Sequence, residues 1–303
     1  MYWFLTEYAT LPILTLMVGR RYLNYILLFS IIVIFNACAG PIPWPASPLY
    51  DFSKYENEHT SVSNIDSIKK QLVGHYAHYD VVAYEDSTTK TPMLTFVISY
   101  GFTDFYLDSV GDLIQSDRFV RASHKINQKM ITSEFSDEAM QAIKPRNHKV
   151  EVSLKEDRWH LYRAPTPSLL GTTGDPSKPL SKDRNDPNLT DPDGDGKPGV
   201  TVKINIGGII KGKIYITRRE IFTNYLTLNN DGTLNGFVKD DSEQFVVGAS
   251  LGILDQASNN FQHPSKGMNP ILLVPISDEI DTLEELMAIR DDIFPKEPDF
   301  FER

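Results

Sequence analysis

The chain has 303 residues, 41% of them apolar, a formal net charge of −10 and a single cysteine. That length holds one large domain or two small ones. The acidic balance argues against a general nucleic-acid binder, which needs clustered Lys and Arg, and against electrostatic docking onto anionic lipid. One cysteine excludes an intramolecular disulfide and any thiolate zinc or iron–sulfur site.

The N-terminus reads as an address. Arg20 and Arg21 precede an apolar run from Tyr22 to Phe35, the layout of a secretory signal. The run ends Phe35-Asn36-Ala37-Cys38-Ala39-Gly40. Residues 17–40 resemble the lipobox signal of bacterial lipoproteins, with Phe35 where Leu is usual and Asn36 where a small residue is usual. The resemblance implies a signal peptide over 1–37, acylation of Cys38 with palmitate-type chains, and attachment to a membrane through that residue. Ala39 stands where lipoproteins retained in the inner membrane carry Asp, which by the same analogy points to the outer membrane, on its periplasmic face or at the surface. Met17 makes a natural start for such a signal. Residues 22–37 are short for an uncleaved spanning helix, which needs about 20 apolar residues. A Pro-rich tether is expected over 38–64, because Pro41, Pro43, Pro45 and Pro48 favour extended geometry with no core. Trp44 in it is either an interfacial aromatic or a residue without a role.

From about residue 67 the apolar period is mostly two. Leu94, Phe96, Ile98 and Tyr100 alternate with Thr95, Val97 and Ser99, and the same holds for 149–154 and 200–206. Such alternation marks strands with one buried face. Further β-rich runs lie at 74–84, 103–109, 117–126, 158–163, 212–219, 221–229, 233–239, 243–251 and 270–276. Asn229-Asn230-Asp231-Gly232 joins two of them as a hairpin turn, and bends are expected at Gly101 and Lys155-Glu156-Asp157. Two segments read as helices: 136–143, capped by Ser136 and stopped by Pro145, and 281–293, opened by Asp281 with Glu284 and stopped by Pro295. About ten to twelve antiparallel strands with a terminal helix predict a mainly β fold over residues 65–303. The expected form is barrel-like, up-and-down and lipocalin-like, since closure removes exposed edges. A β-sandwich is the alternative.

The segment 164–199 interrupts this pattern with seven prolines and ends in Asp191-Pro192-Asp193-Gly194-Asp195-Gly196-Lys197. Long irregular loops are uncommon in compact domains unless functional or disordered. Carboxylates at alternate positions followed by glycine suit a hard cation, which takes several oxygens at once. The pattern resembles the calcium loops of thrombospondin type 3 repeats and dockerins. That likeness implies Ca2+ held by Asp191, Asp193, Asp195 and the Lys197 backbone carbonyl. Val202 occupies the twelfth position, where a bidentate acid is usual, so Asp183 or Asp186 is expected to complete the shell. A plain solvated turn is the competing reading.

Other candidates are weaker. Gly248-Ala249-Ser250-Leu251-Gly252 has the G-x-S-x-G spacing of serine hydrolases, but a poor helix follows it and His263 lies too close in sequence for that fold. His75 and His78 should face opposite sides of a strand, which disfavours a shared metal. Tyr76, Tyr79, Tyr84, Phe96, Tyr100, Phe102, Phe105 and Tyr106 either line a barrel that holds an apolar ligand or simply pack the core. These readings lead to a non-enzymatic binding or structural lipoprotein of the cell envelope, with an envelope protein or a lipophilic ligand as partner. A lipophilic-ligand carrier is one alternative and a hydrolase using Ser250 another.

Overall fold

The computed structural model describes residues 42–302 except 62–63, 89–91, 142 and 258, so the expected signal and Cys38 lie outside the described residues. Within them the chain forms helix α1 (Ile65–Leu72) and strands β1 (Gly74–Asp86), β2 (Met93–Leu107), β3 (Leu113–Ile126) and β4 (Ile131–Phe135). Helix α2 (Asp137–Gln141), β5 (Arg146–Lys155), β6 (Arg158–Arg163), β7 (Ser168–Leu170), β8 (Val200–Ile206) and β9 (Ile210–Glu220) follow. The chain ends with β10 (Phe222–Leu228), β11 (Leu234–Asp240), β12 (Glu243–Ala249), β13 (Asn260–Gln262), β14 (Pro270–Pro275) and helix α3 (Leu283–Ile293).

Eight of these strands close into an antiparallel barrel in the order β1-β2-β3-β5-β6-β10-β11-β14 and back to β1. Neighbours around the barrel follow one another along the chain, the order of an up-and-down meander, once the excursions between them are set aside. The mainly β, closed architecture expected from the alternation is what forms. The excursions build a second sheet, β4-β8-β9-β12 with β7 on β9, that grows from the far half of β3. β3 serves both: Ile114–Asp117 pair with β5 and close the barrel, while Ser123 and His124 pair with β4. Beyond Asp117 the barrel wall therefore has a seam, which the second sheet covers.

The barrel interior and its outer face are packed differently. Tyr76, Phe105, Leu113, Trp159, Leu161, Leu226 and Leu273 fill one end of the interior, under Ile68 and Leu72 of α1. Asn64 caps that helix by accepting from the amides of Asp66 and Ser67. The outer face of β1 and β2 carries Tyr79, Phe96, Ile98, Tyr100 and Phe102, covered by Leu286, Phe294 and Phe300 from the C-terminal segment. Most of the early aromatics thus lie outside the lumen, stacked as Tyr79–Phe294 (5.2 Å) and Phe96–Phe300 (4.8 Å).

Several expectations change. Runs 94–100 and 103–109 are one strand, with no break at Gly101. A side chain there would run into the Arg118 carbonyl oxygen, so the glycine lets β3 approach. The register slips beside it, leaving Val120 of β3 without a partner. Helix α1 was hidden by its short length. The C-terminal helix starts one residue later than expected: Thr282 is the cap and Glu285 closes the box, because that pair makes both capping hydrogen bonds. The Pro-rich segment is not a free tether from residue 42 onward. Ile42, Trp44, Leu49 and Tyr50 pack on the aromatic outer face, Trp44 at 5.1 Å from Phe96 and 5.5 Å from Phe300. The Leu49 amide donates to the Gly267 carbonyl (2.9 Å). Prolines lower the entropy lost on ordering, and four large apolar side chains supply the burial that offsets the rest.

Trp44→Ala is therefore expected to lower the unfolding free energy by about 3 kcal/mol, the low end for a core aromatic. Denaturant titration measures it; a change near zero would restore the tether.

Candidate functional site

Strand alternation sends two polar runs into the space between the barrel and the second sheet. His78, Asp80, Val82 and Tyr84 point inward from β1. Arg218, Glu220, Phe222 and Asn224 do so along β9 and β10, which are joined through Ile221 alone. With Arg163 of β6 and the apolar Val97, Phe119, Ala122, Phe135, Met140, Ile143, Leu170 and Val238 they line a cavity of about 60 Å³. Its apolar wall comes from side chains crossing the seam, not from a hydrogen-bonded ladder.

The charges around this cavity form a layered network. Asp117 is buried. It accepts from Thr103 Oγ1 (2.7 Å) and, through both oxygens, from Gln115 Nε2 (2.9 and 3.0 Å). Since the Thr103 proton goes to Asp117, Thr103 accepts from His78 Nδ1 (2.8 Å), while His78 Nε2 donates to Asp80 (3.0 Å). Both ring nitrogens then carry protons, and His78 is an imidazolium. Burial works against that charge, but the carboxylates of Asp117 and Asp80 outweigh it and raise the His78 pKa to about 9. Burial likewise opposes ionisation of Asp117, yet His78 and Arg163 hold it well below the usual carboxylate range. Arg163 Nη2 donates to Asn224 (3.1 Å). On the other side Arg218 Nη2 donates to Asp240 (2.8 Å), which also accepts from Tyr84, and Arg146 pairs with Glu220. The Nε atoms of Arg163 and Arg218 are buried without a hydrogen-bond partner. They stand 3.7 Å from Asp117 and Glu220 respectively.

Two neighbouring histidines go the other way. Burial lowers both His124 and His148 to about 4, helped by Arg218 beside His124 and by Arg163 beside His148. Sequence reading missed this network. The informative partner of His78 is Asp80, two positions away on the same face, and not His75, three positions away on the other. His75 is also buried, and bonds Asp104 (2.5 Å) and the Ile280 carbonyl (3.0 Å).

The second candidate is the Asp loop. Asp191, Asp193 and Asp195 each bring an oxygen within 4.8 Å of the others. Asp183 and Asp186 are outside that group; they cap local turns through the amides of Asn185 and Asn188 (both 2.9 Å). Asp191 accepts from the amides of Asp195 and Gly196, and Asp193 Oδ2 accepts from the Thr201 amide (2.9 Å). Asp195 Oδ2 receives Thr201 Oγ1 (3.0 Å) and Lys213 Nζ (2.8 Å). Asp193 Oδ1 is buried without a partner. Val202, the twelfth position, faces the core with Val200 and Ile216, so alternation on β8 turns Thr201 toward the loop instead. Lys197 bonds Asp195 Oδ1 through its amide (3.0 Å). Three carboxylates with one orphaned oxygen fit a hard cation; the missing acid at position twelve leaves the shell short of a bidentate ligand.

Ser250 has a structural partner. Its hydroxyl accepts from the Lys213 amide (2.8 Å) and its amide donates to the Lys213 carbonyl (2.9 Å), continuing the β9–β12 pairing. Among the described residues no histidine bonds it, and a short 3-10 turn, Gly252–Leu254, follows in place of a nucleophile-elbow helix.

The three histidines set opposed pH limits. His78, raised from 6.5 to about 9, contributes stability that is complete below pH 6.5 and is lost as pH rises through 9. His124 and His148, lowered to about 4, contribute stability present above pH 6.5 and lost as pH falls through 4. The melting temperature is thus expected to peak near pH 6.5, and His78→Gln to remove most of the alkaline decline, on the order of 3 kcal/mol. An unchanged alkaline limb in that variant would show that His78 is not the charged member. Comparison of the chain with family models, with curated proteins and with solved structures finds no match, so the side chains themselves are the ground for a function.

Proposed function

We propose that the protein is a lipid-anchored lipoprotein of the cell envelope, held at the outer membrane through Cys38, whose barrel has a non-enzymatic binding or structural role and whose Asp loop is ordered by calcium. The membrane reading rests on where the chain enters the domain. Asn127 Nδ2 donates to the Ile42 carbonyl (3.1 Å). Ile42 is four residues beyond Cys38, a reach of at most about 14 Å. Asn127 opens the β3–β4 turn, where Met130 is 63% exposed and lies against Gly207. Ile209, in the adjoining β8–β9 turn, is 89% exposed. Large apolar side chains on paired loop tips, beside the entry point of an acylated chain, suit insertion into the interface of the same bilayer.

A lipophilic-ligand carrier draws less support. Its pocket needs about 300 Å³ or more, and the cavity here is about 60 Å³ and ringed by charges. The calcium reading is supported by the converging oxygens and the orphaned Asp193 Oδ1. Lys213 competes for the same site: its ammonium bonds Asp195 and holds that carboxyl below its usual range.

Three outcomes follow. In a bacterial host, Cys38→Ser is expected to abolish acyl labelling and detergent-phase partitioning; unchanged partitioning refutes the anchor. In the acylated protein, Ile209→Cys adds the one free thiol, and a polarity-sensitive dye on it is expected to shift to the blue on liposomes. For the loop, calorimetry is expected to find calcium binding that raises the melting temperature, is lost in Asp193→Asn and is tightened several-fold in Lys213→Gln. Melting insensitive to calcium and chelator defeats the metal reading.

A further inference from the structure

We infer that the tip of the second sheet docks on a bilayer surface rich in anionic lipid: Met130, Ile209 and Ile253 enter the interface while Lys129 and Lys211 meet headgroup phosphates. The inference rests on the membrane insertion proposed above and adds to it the lipid class, the two lysines and the 3-10 turn Gly252–Leu254.

Three observations carry it. First, the tip is one built surface. The Gly207 amide donates to the Met130 carbonyl (2.6 Å), which laces the β3–β4 and β8–β9 turns together. Directly behind them Ile131, Ile206 and Ile210 stand opposite one another across β4, β8 and β9. They share the parity of Phe135, Val202 and Ile214, which pack in the core of that sheet, yet they are only half-buried. The apolar core thus runs out to the tip instead of ending beneath polar turns. A Cβ at Gly212 would meet Leu251 and Leu254, which places the 3-10 turn against the same end of β9. Leu251 is 39% exposed there and Ile253 59%.

Second, the charge at this end is opposite to that of the chain. A net charge of −10 argues against docking on anionic lipid only if it is evenly spread, and it is not: residues 118–133 and 196–219 contain no Asp or Glu. Around the tip, Lys203 stands opposite Glu134, Lys213 bonds Asp195 and Arg184 bonds Asp255, so those charges are met. Lys129, directly before Met130, and Lys211, two residues past Ile209, are exposed and have no ion pair among the described residues. Two cations without counter-ions flank the exposed aliphatic side chains.

Third, shape selects a bilayer over a protein. A stable protein interface takes about 20–30 residues from each side, and two turns with one 3-10 turn offer only a handful. Aliphatic side chains that enter the acyl boundary, beside lysines whose stems lie along it and whose ammonium groups stay at the phosphates, are the pattern of interfacial insertion. Each lysine near an anionic surface is worth about fivefold in affinity.

The test uses the full chain carrying Cys38→Ser and Ile253→Cys, whose single thiol takes a polarity-sensitive dye. It is titrated with vesicles of phosphatidylcholine alone or of an equal mixture with phosphatidylglycerol. The anionic vesicles are expected to bind about twentyfold tighter and to shift the dye to the blue, with the preference shrinking at high salt. Lys129→Gln and Lys211→Gln are each expected to cost about fivefold of that preference, and together nearly all of it, with binding to phosphatidylcholine unchanged. Melting curves show that these surface variants fold. Residues before Ile42 are the same in every variant, so the difference between variants belongs to the tip. The inference is overturned if the dye does not shift, if both vesicles bind equally, or if the double variant keeps the preference. A shift that follows the protein-to-lipid ratio and not the phosphatidylglycerol content makes a second copy of the chain the occupant and overturns it too. An Ile209 dye that shifts equally on both vesicles while the Ile253 dye stays silent removes this inference and leaves the insertion proposed above standing.

Discussion

A carboxylate buried inside a β-barrel has to be met by positive charge and by hydrogen-bond donors, and Asp117 imposes that demand here. Desolvation of an ion costs several kcal/mol, so the interior around Asp117 cannot be assembled strand by strand. It draws Thr103 from β2, Gln115 from its own strand, His78 from β1 and Arg163 from β6 into one layer. Those four strands lie on both sides of the line where β3 closes on β5. The electrostatics and the closure of the barrel are therefore one constraint, and a register slip of one residue anywhere in the layer would turn a charge into the apolar outer face.

The second sheet follows from the same demand. β3 leaves β5 after Asp117, which opens a seam beside the most polar part of the interior. β9 covers it and brings Arg218 and Glu220, whose charges are matched in turn by Asp240 and Arg146. Because β9 runs into β10 through one residue, the inward face continues unbroken from the sheet into the barrel. The long Pro-rich loop then makes sense as the connection that lets β8 and β9 reach this position. It is pinned where Gly171 and Gly199 bring their backbones against Ile216, both at positive φ, where a Cβ would sit 2.8 Å from the Ile216 carbonyl oxygen. The Asp loop fastens its end to β8 through Thr201.

How much of this the chain reveals on its face depends on whether the signal is local. Alternation in 94–100, 149–154 and 200–206 is local, and so the strands and the closed β architecture are legible. The hairpin at Asn229–Gly232 and the Ser136 cap are legible for the same reason. Helix α1 has only two buried residues, Ile68 and Leu72, too few for a period to stand out. The packing of Trp44 depends on Phe96 and Phe300, which are far away in sequence. The charged interior is the instructive miss. Each of His78, Asp80, Arg163, Arg218 and Glu220 sits at an inward parity of its strand, yet an isolated polar residue in an alternating run looks the same whether it faces water or a lumen. Only the closure of the barrel decides which.

That closure also inverts the expected division of labour between aromatic and polar residues. An aromatic-rich barrel invites the reading of an apolar lumen. Here the aromatics of β1 and β2 largely face outward and hold the two ends of the domain, residues 42–50 and the C-terminal segment, against the barrel. The lumen beyond the α1 end is left to charges. A protein built this way gains its rigidity on the outside of the barrel wall, where terminal segments add apolar area without needing hydrogen bonds. The interior is then free to keep groups that cost stability. Among them are the Nε groups of Arg163 and Arg218, which stand 3.7 Å from Asp117 and Glu220, held by charge without a hydrogen bond.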